Sequence, residues 1–331
     1  MATGVKDLRI YQAAREASYG TDLAATNRLV GELEIAPDET VVMPSPQIGI
    51  MLDHPTTDQV VHRAANVKFS GELTYEQILY LLEATIDGGV APTGAGPYVY
   101  TYVPSFAADP LAKSFTFERR LTDGSTTWDE VVNYALCRDW KISAAIGEMV
   151  KFESNWIGRP ADTAQTLTAA IAVPNVNFVS AADVQMFIDN TFAGLGGTQL
   201  AGDLISWELS YEGVYQPKFF QDGRADRSFS GHSVKRQGYA LTLQVEWNAQ
   251  INGLRAKAAA RSLQYVRIKM TSDANHIVQF DGVFRFKDAQ FDQSGDRDGN
   301  DTATLELVSA YDSAQSLGLK AVITNQNSAW V

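Results

Sequence analysis

Four histidines, one cysteine and several acidic clusters are the side chains of this 331-residue sequence whose types could do chemistry. His54, His62, His232 and His276 show no H-x-x-x-H or H-E-x-x-H spacing, the pattern that turns two imidazoles of one helix toward a zinc ion. Three of them fall in or beside expected loops, where ordinary surface roles are the expectation. Asp296-Arg297-Asp298-Gly299-Asn300-Asp301 has the texture of a calcium loop. Counted from Ser294, Gly299 takes the sixth place, but Leu305 stands where the bidentate glutamate belongs, and an arginine sits among the ligands. A hairpin tip explains the run better. Gly194-Leu195-Gly196-Gly197 lacks the lysine of a phosphate loop, and no G-x-S-x-G elbow occurs. The adjacent carboxylates Asp129 and Glu130 are not placed across a cleft by anything in the sequence. The expectation is no catalytic residue, no cofactor-binding residue and no metal ligand.

Composition narrows the class. Aspartate and glutamate outnumber lysine and arginine 39 to 27, for a formal net charge of -12. That balance argues against ordinary nucleic-acid binding, which depends on cations neutralising phosphates. It does not exclude a surface past which DNA moves without sticking. No window is long and apolar enough to span a membrane, and no secretory signal is visible at the start. The lone Cys137 excludes an internal disulfide framework and reads as a small core residue of a chain made in a reducing cytoplasm.

The elements are mostly strands. Expected are strands at 8–14 and 29–35, then a proline-crowded loop over 36–66 holding Pro37, Pro44, Pro46 and Pro55. Residues 67–89 read as a strand entering a capped helix over 75–87. Thr74 and Gln77 form a capping box, Leu73 and Ile78 a staple, and Gly88 the stop. Tyr75, Ile78, Leu79, Leu82 and Ile86 then make one apolar face that needs a sheet to cover. Strands follow at 98–103, 113–121 and twice within 129–157. Residues 158–180 form a boundary containing a strand-like run at 166–173.

The second half replays the first. Gly20-Thr21-Asp22-Leu23-Ala24 aligns with Gly197-Thr198-Gln199-Leu200-Ala201, each leading into an alternating strand. A second polar loop, 212–238, precedes a strand and a weaker helix within 239–262. Asn248 or Asn252 is its cap, and Ile251, Leu254 and Ala258 its inward stripe. Strand runs then flank the turn at 295–301. The reading is a mainly β chain with one helix per unit, in two tandem β-sandwich or barrel units at 1–172 and 173–331.

The order arm, strand, small-residue turn, strand, long loop, strand, T-x-E-Q-x-L helix and paired long strands resembles the tail tube (major tail) proteins of long-tailed bacteriophages. AREASYGTDLAATNRLVGE, FSGELTYEQILYLLEATIDGG and GNDTATLELVSAYD carry the likeness, which covers nearly the whole chain as a pattern of order. The resemblance implies a structural virion protein, not an enzyme. It further implies a two-copy chain forming trimeric rings of pseudo-sixfold symmetry, stacked into the tube through which phage DNA passes. Tape measure, tail-tip and tail-terminator proteins are the implied partners, DNA is unspecific cargo, and no membrane or cofactor is involved. The implied place is the virion tail, assembled in the host cytoplasm. Two other classes stay open. One is another β-sandwich virion protein, receptor-binding or capsid-associated. The other is a β-sandwich glycan hydrolase with Trp128, Trp140 and Trp156 along a groove. The loops 36–66 and 212–238 are expected to mediate ring stacking through opposite charge biases. Asp38, Glu39, Asp53 and Asp58 stand against Arg63 in the first, and Lys218, Arg224, Arg227, Lys235 and Arg236 against Glu212, Asp222 and Asp226 in the second.

Overall fold

Alternating apolar and polar residues recur along most of the chain, and a computed structural model shows them as strands of a mainly β protein with two short helices. The structure describes residues 8–42, 59–104, 113–213, 215–234, 238–291 and 293–329. The first half contributes β1 (Ile10–Arg15), β2 (Asn27–Arg28), β3 (Glu32–Val42), β4 (Gln59–Glu72), α1 (Leu79–Thr85), β5 (Tyr98–Tyr102), β6 (Phe115–Thr122), β7 (Thr127–Ala145) and β8 (Lys151–Gly158). The second contributes β9 (Val184–Asp189), β10 (Leu204–Glu212), β11 (Tyr215–Lys218), β12 (Gly231–Val234), β13 (Gly238–Glu246), α2 (Ala249–Ala259), β14 (Gln264–Asp273), β15 (His276–Phe286), β16 (Gln293–Arg297), β17 (Asn300–Ser309) and β18 (Leu319–Asn325).

The pairings trace the same path twice. In the first half the antiparallel neighbours run β1·β6·β7·β8·β4·β3, and in the second β9·β14·β15·β17·β13·β10. Each path carries its helix directly after the fifth of these strands. The halves are not separate bodies. Strand β10 pairs with β7, Ser206 opposite Ala145 through Glu212 opposite Asp139. Strand β5 of the first half pairs with β18 at the far end of the chain.

Strand β7 serves two layers. Its first part lies beside β6, and its last part lies between β8 and β10. A register shift between Cys137 and Asp139, and a positive φ of 53° at Tyr134, mark the change of direction. Layering is visible in the rings, where Phe117 of β6 meets Trp156 of β8 edge-on at 5.0 Å. One hydrophobic core runs through both halves, and Cys137 is buried in it.

Several expectations change. The stretch 36–66 is not all loop, since β3 continues to Val42 and β4 begins at Gln59, with Pro37 opposite Ala65. Proline is tolerated there because β3 has β4 as its one sheet neighbour among the described residues. The tip of that hairpin, 43–58, lies outside the described residues, and with it Pro44, Pro46, His54 and Pro55. Residues 166–173 form no strand; the nearest bridges are Asp162 with Val131 and Phe178 with Thr74. The stretch 212–238 holds a small hairpin, β11 with β12.

The first helix spans 79–85 rather than 75–87, and the capping box is half built. Thr74 Oγ1 accepts from Gln77 N at 3.0 Å, but the Gln77 side chain turns away to pin the chain ahead of β3. Its Oε1 accepts from Val30 N and its Nε2 donates to Arg28 O, both at 2.9 Å. All seven residues of α1 are buried, so it is a core helix, not one with a single covered face. The left-handed residue after it is Gly89, not Gly88. The second helix follows expectation. Asn248 Oδ1 accepts from Ile251 N at 2.9 Å, and Ile251, Leu254 and Ala258 are its buried stripe.

Candidate assembly surface

The residues whose types suggested chemistry are scattered and already engaged. His62 and His232 stand in β4 and β12, not in loops, and His276 opens β15, in a run expected to be strand. His62 stacks near Phe219 at 4.6 Å, and His232 Nδ1 lies 3.0 Å from Tyr134 Oη. His276 is buried, its Nδ1 3.0 Å from Asp273 and its Nε2 3.0 Å from Asn177. Asp129 and Glu130 are successive strand residues that point to opposite faces, each bound by its own arginine. The Arg120 guanidinium, 2.6 Å away, holds the Asp129 carboxyl below its usual range. Trp140 and Trp156 belong to the core at 2% and 1% exposure, whereas Trp128 is 53% exposed, so the three line no common groove.

The run at 296–301 is a two-residue hairpin between β16 and β17. Asp298 and Gly299 have φ of 52° and 88°, the pair of positive values that a type I′ turn demands, and Arg297 faces Asn300. Among the described residues no group of three histidine, cysteine, aspartate or glutamate side chains could hold a metal ion.

An extended surface is formed by one face of a continuous antiparallel sheet, in the order β3·β4·β8·β7·β10·β13·β17·β16. Its registers connect into cross-strand rows. One row reads Glu32, Ser70, Glu153, Lys141, Ser210, Ala240, Val308, and another Glu34, Lys68, Asn155, Asp139, Glu212, Gly238. Neighbouring rows on the opposite face hold the core residues Trp140, Tyr211, Leu209, Leu241 and Leu307. The outer face therefore carries small neutral side chains and charges. Its cations, Lys68, Lys141, Lys151 and Arg297, with Lys287 reaching Glu306 from beside it, are outnumbered by Glu32, Glu34, Glu72, Asp139, Glu153, Glu208, Glu212, Glu246 and Glu306. Glu153 bridges Lys68 and Lys141 at 2.8 and 3.5 Å, and Glu148 holds Lys151 at 2.7 Å. Lysines so neutralised offer little to a passing phosphate. Sequence reasoning missed this face, although its signal was present as the alternation of 206, 208, 210, 212 and of 240, 242, 244, 246.

The polar stretch after β10 folds back over the first half. Phe229 and Tyr215 are buried beside Tyr134 and His232, and Arg159 lies over the Tyr134 ring at 5.0 Å. The two stretches expected to mediate ring stacking also touch each other inside one chain. Arg63 N donates to Arg227 O at 3.0 Å, and the Arg227 side chain donates to Val60 O. Two of their ion pairs close locally, Arg63 with Glu39 at 3.0 Å and Arg224 with Asp226 at 3.1 Å. Asp53, Asp58, Lys235 and Arg236 lie outside the described residues.

No known family model matches this chain, and no curated protein matches it either.

Proposed function

We propose that this chain is a structural protein that polymerises into stacked rings forming the tail tube of a long-tailed phage. The observation that carries the reading is the eight-stranded sheet. It is assembled from two four-strand halves of the same order, and its outer face is polar, small and acidic. Two tandem tube units, 1–172 and 173–331, account for that repetition. A wall of this kind turned toward a lumen would let phosphates slide, because bound counterions and neutralised lysines give DNA nothing to hold. Three chains supply six units, so the ring is threefold with a sixfold appearance, and the partners beyond itself are the tape measure, tail-tip and tail-terminator proteins. DNA is cargo, and the place of assembly is the host cytoplasm.

Electron microscopy of the purified protein tests this, with rings or tubes expected and dispersed particles at all concentrations against it. Mass measurement of an isolated ring tests the unit count. Three chains of 36.2 kDa give about 109 kDa and six give about 217 kDa. The heavier ring would mean that only one half of each chain builds the wall.

A further inference from the structure

Where the chain passes from its first half to its second, one buried histidine meets both halves and the connection between them. That connection, 159–183, joins β8 to β9. Near its end it is bonded to the residues ahead of α1 and of β8. Tyr75 N donates to Asn177 O, Val179 N to Leu73 O, and Val150 N to Val179 O. Side chains hold Asn177 as well. Its N and Nδ2 donate to the two oxygens of Glu76 at 2.9 and 3.0 Å, and its Nδ2 lies 3.0 Å from His276 Nε2. His276 opens β15 in the second half, with its Nδ1 3.0 Å from Asp273 at the end of β14.

The donors and acceptors fix the proton state of this ring. A carboxylate can only accept, so Nδ1 carries its hydrogen toward Asp273, and Nε2 is left to accept from the Asn177 amide. That is a neutral imidazole. The titratable groups that face the ring are Glu76, Asp273 and Tyr75, with Asp183 behind Tyr75. Glu76 Oε1 lies 3.8 Å from Nε2. The Asn275 amide, and after it the imidazole, hold the Asp273 carboxyl below its usual range, so it stays ionised wherever an imidazole titrates. Burial first and Asp183 second push the Tyr75 hydroxyl up, so it stays neutral. Charge therefore favours a second proton that the hydrogen bonds oppose.

We propose that His276 is a proton-operated latch on the connection between the halves: a proton taken from solvent at Nε2 moves the bond of the ring from Asn177 to Glu76. With that proton in place two donors face each other at 3.0 Å. Turning the Asn177 amide over would only set its oxygen against Glu76 Oε1. The imidazolium closes the 3.8 Å gap to Glu76 instead, and the Asn177 side chain gives up both acceptors. The connection then stays in place through its backbone atoms alone. The latch works within one molecule and stands apart from the function proposed above.

Hydrogen exchange read by mass spectrometry tests it at about pH 7.5 and about pH 5.5, either side of the ordinary imidazole value, with rates corrected for the pH dependence of exchange itself. Amides of 175–180 should lose protection roughly fivefold at the lower pH, the size of one weakened hydrogen bond, while those of β13 should not change. In the same range the nitrogen shifts of labelled histidine should pass from the Nδ1–H form to the doubly protonated one at His276. His276→Gln should abolish the step. If that variant does not fold, Asn177→Ala decides, since it removes the bond that the proton breaks and should abolish the step too. No step in the parent, a step that survives in either variant, or an Nε2–H ring at neutral pH would each overturn the latch.

Discussion

Thr85 and Ala259 end two helices that hold the same place in their halves, yet α1 is buried along its whole length and α2 on three residues only. Propensity does not account for this. What differs is what stands beside them. Thr85 accepts from Trp140 Nε1 at 3.0 Å through its hydroxyl and from Tyr211 Oη at 3.1 Å through its carbonyl. Tyr211 belongs to β10, the strand of the other half that forms the internal seam. Asn325 at the end of β18 likewise donates to Tyr75 O at 3.3 Å, just ahead of α1. Glu83 is fully buried and takes bonds from Gly89 N, Val90 N, Arg15 and Tyr102, while burial pushes its carboxyl upward. The helix next to the seam is thus enclosed by the other half of the chain, whereas α2 keeps only its inward stripe covered.

The contrast can be broken most sharply at Leu82. Leu82→Asp puts a charge into a site with no exposed side, and the expected cost is about 3–5 kcal/mol, seen as an insoluble or unfolded chain by circular dichroism. A soluble, cooperatively melting variant would mean that α1 is not core. Tyr211→Phe removes the bond that the second half makes to α1. The Thr85 carbonyl is left buried, for a loss of about 1–2 kcal/mol in a denaturant titration with unchanged m-value.

The arm of residues 213–230 should respond to acid. Burial works to raise the Asp226 carboxyl, but hydrogen bonds from Arg224 and Ser228 override it and hold it at about 2. The folded value lies below the ordinary 3.8, so its stabilisation is present above about pH 4 and fades as the pH falls toward 2. Because the pair is partly exposed, the contribution is at most about 1 kcal/mol. Asp226→Asn should flatten that part of the pH profile, and an unaltered profile would remove Asp226 from the account. The smallest effect is expected at Ala256→Asp on the exposed side of α2. Within about 0.5 kcal/mol of the parent by thermal melting, it is the control that Leu82→Asp needs.

Local chemistry was legible in the sequence wherever neighbours along the chain decide the outcome. The Asn248 cap, the Ile251, Leu254 and Ala258 stripe and the Asp298-Gly299 turn each depend on residues within one turn of structure. Gln77 was misread because its better partners, Val30 and Arg28, are brought to it by tertiary structure. The proline content of 36–66 argued for a loop, but a strand with one neighbour has an outer side on which a missing donor costs little. Pairings such as β5 with β18, more than two hundred residues apart, leave no periodic trace at all. The polar face was written in every strand, but which strands lie side by side was not, so its extent emerged only from the registers.

The internal seam also decides which edges a single folded molecule shows to its surroundings. Strand β10, with Trp207, Leu209 and Tyr211 along it, would be an adhesive border if it were left open, and within the chain it finds β7 without waiting for an encounter. Among the described residues, the ends of the large sheet are a border interrupted by Pro37 and studded with Glu34, Asp38 and Glu39, and a strand of only five residues. Such borders are poor templates for stray strands. The stickiest joint is thus closed as each chain folds, before any second molecule is met.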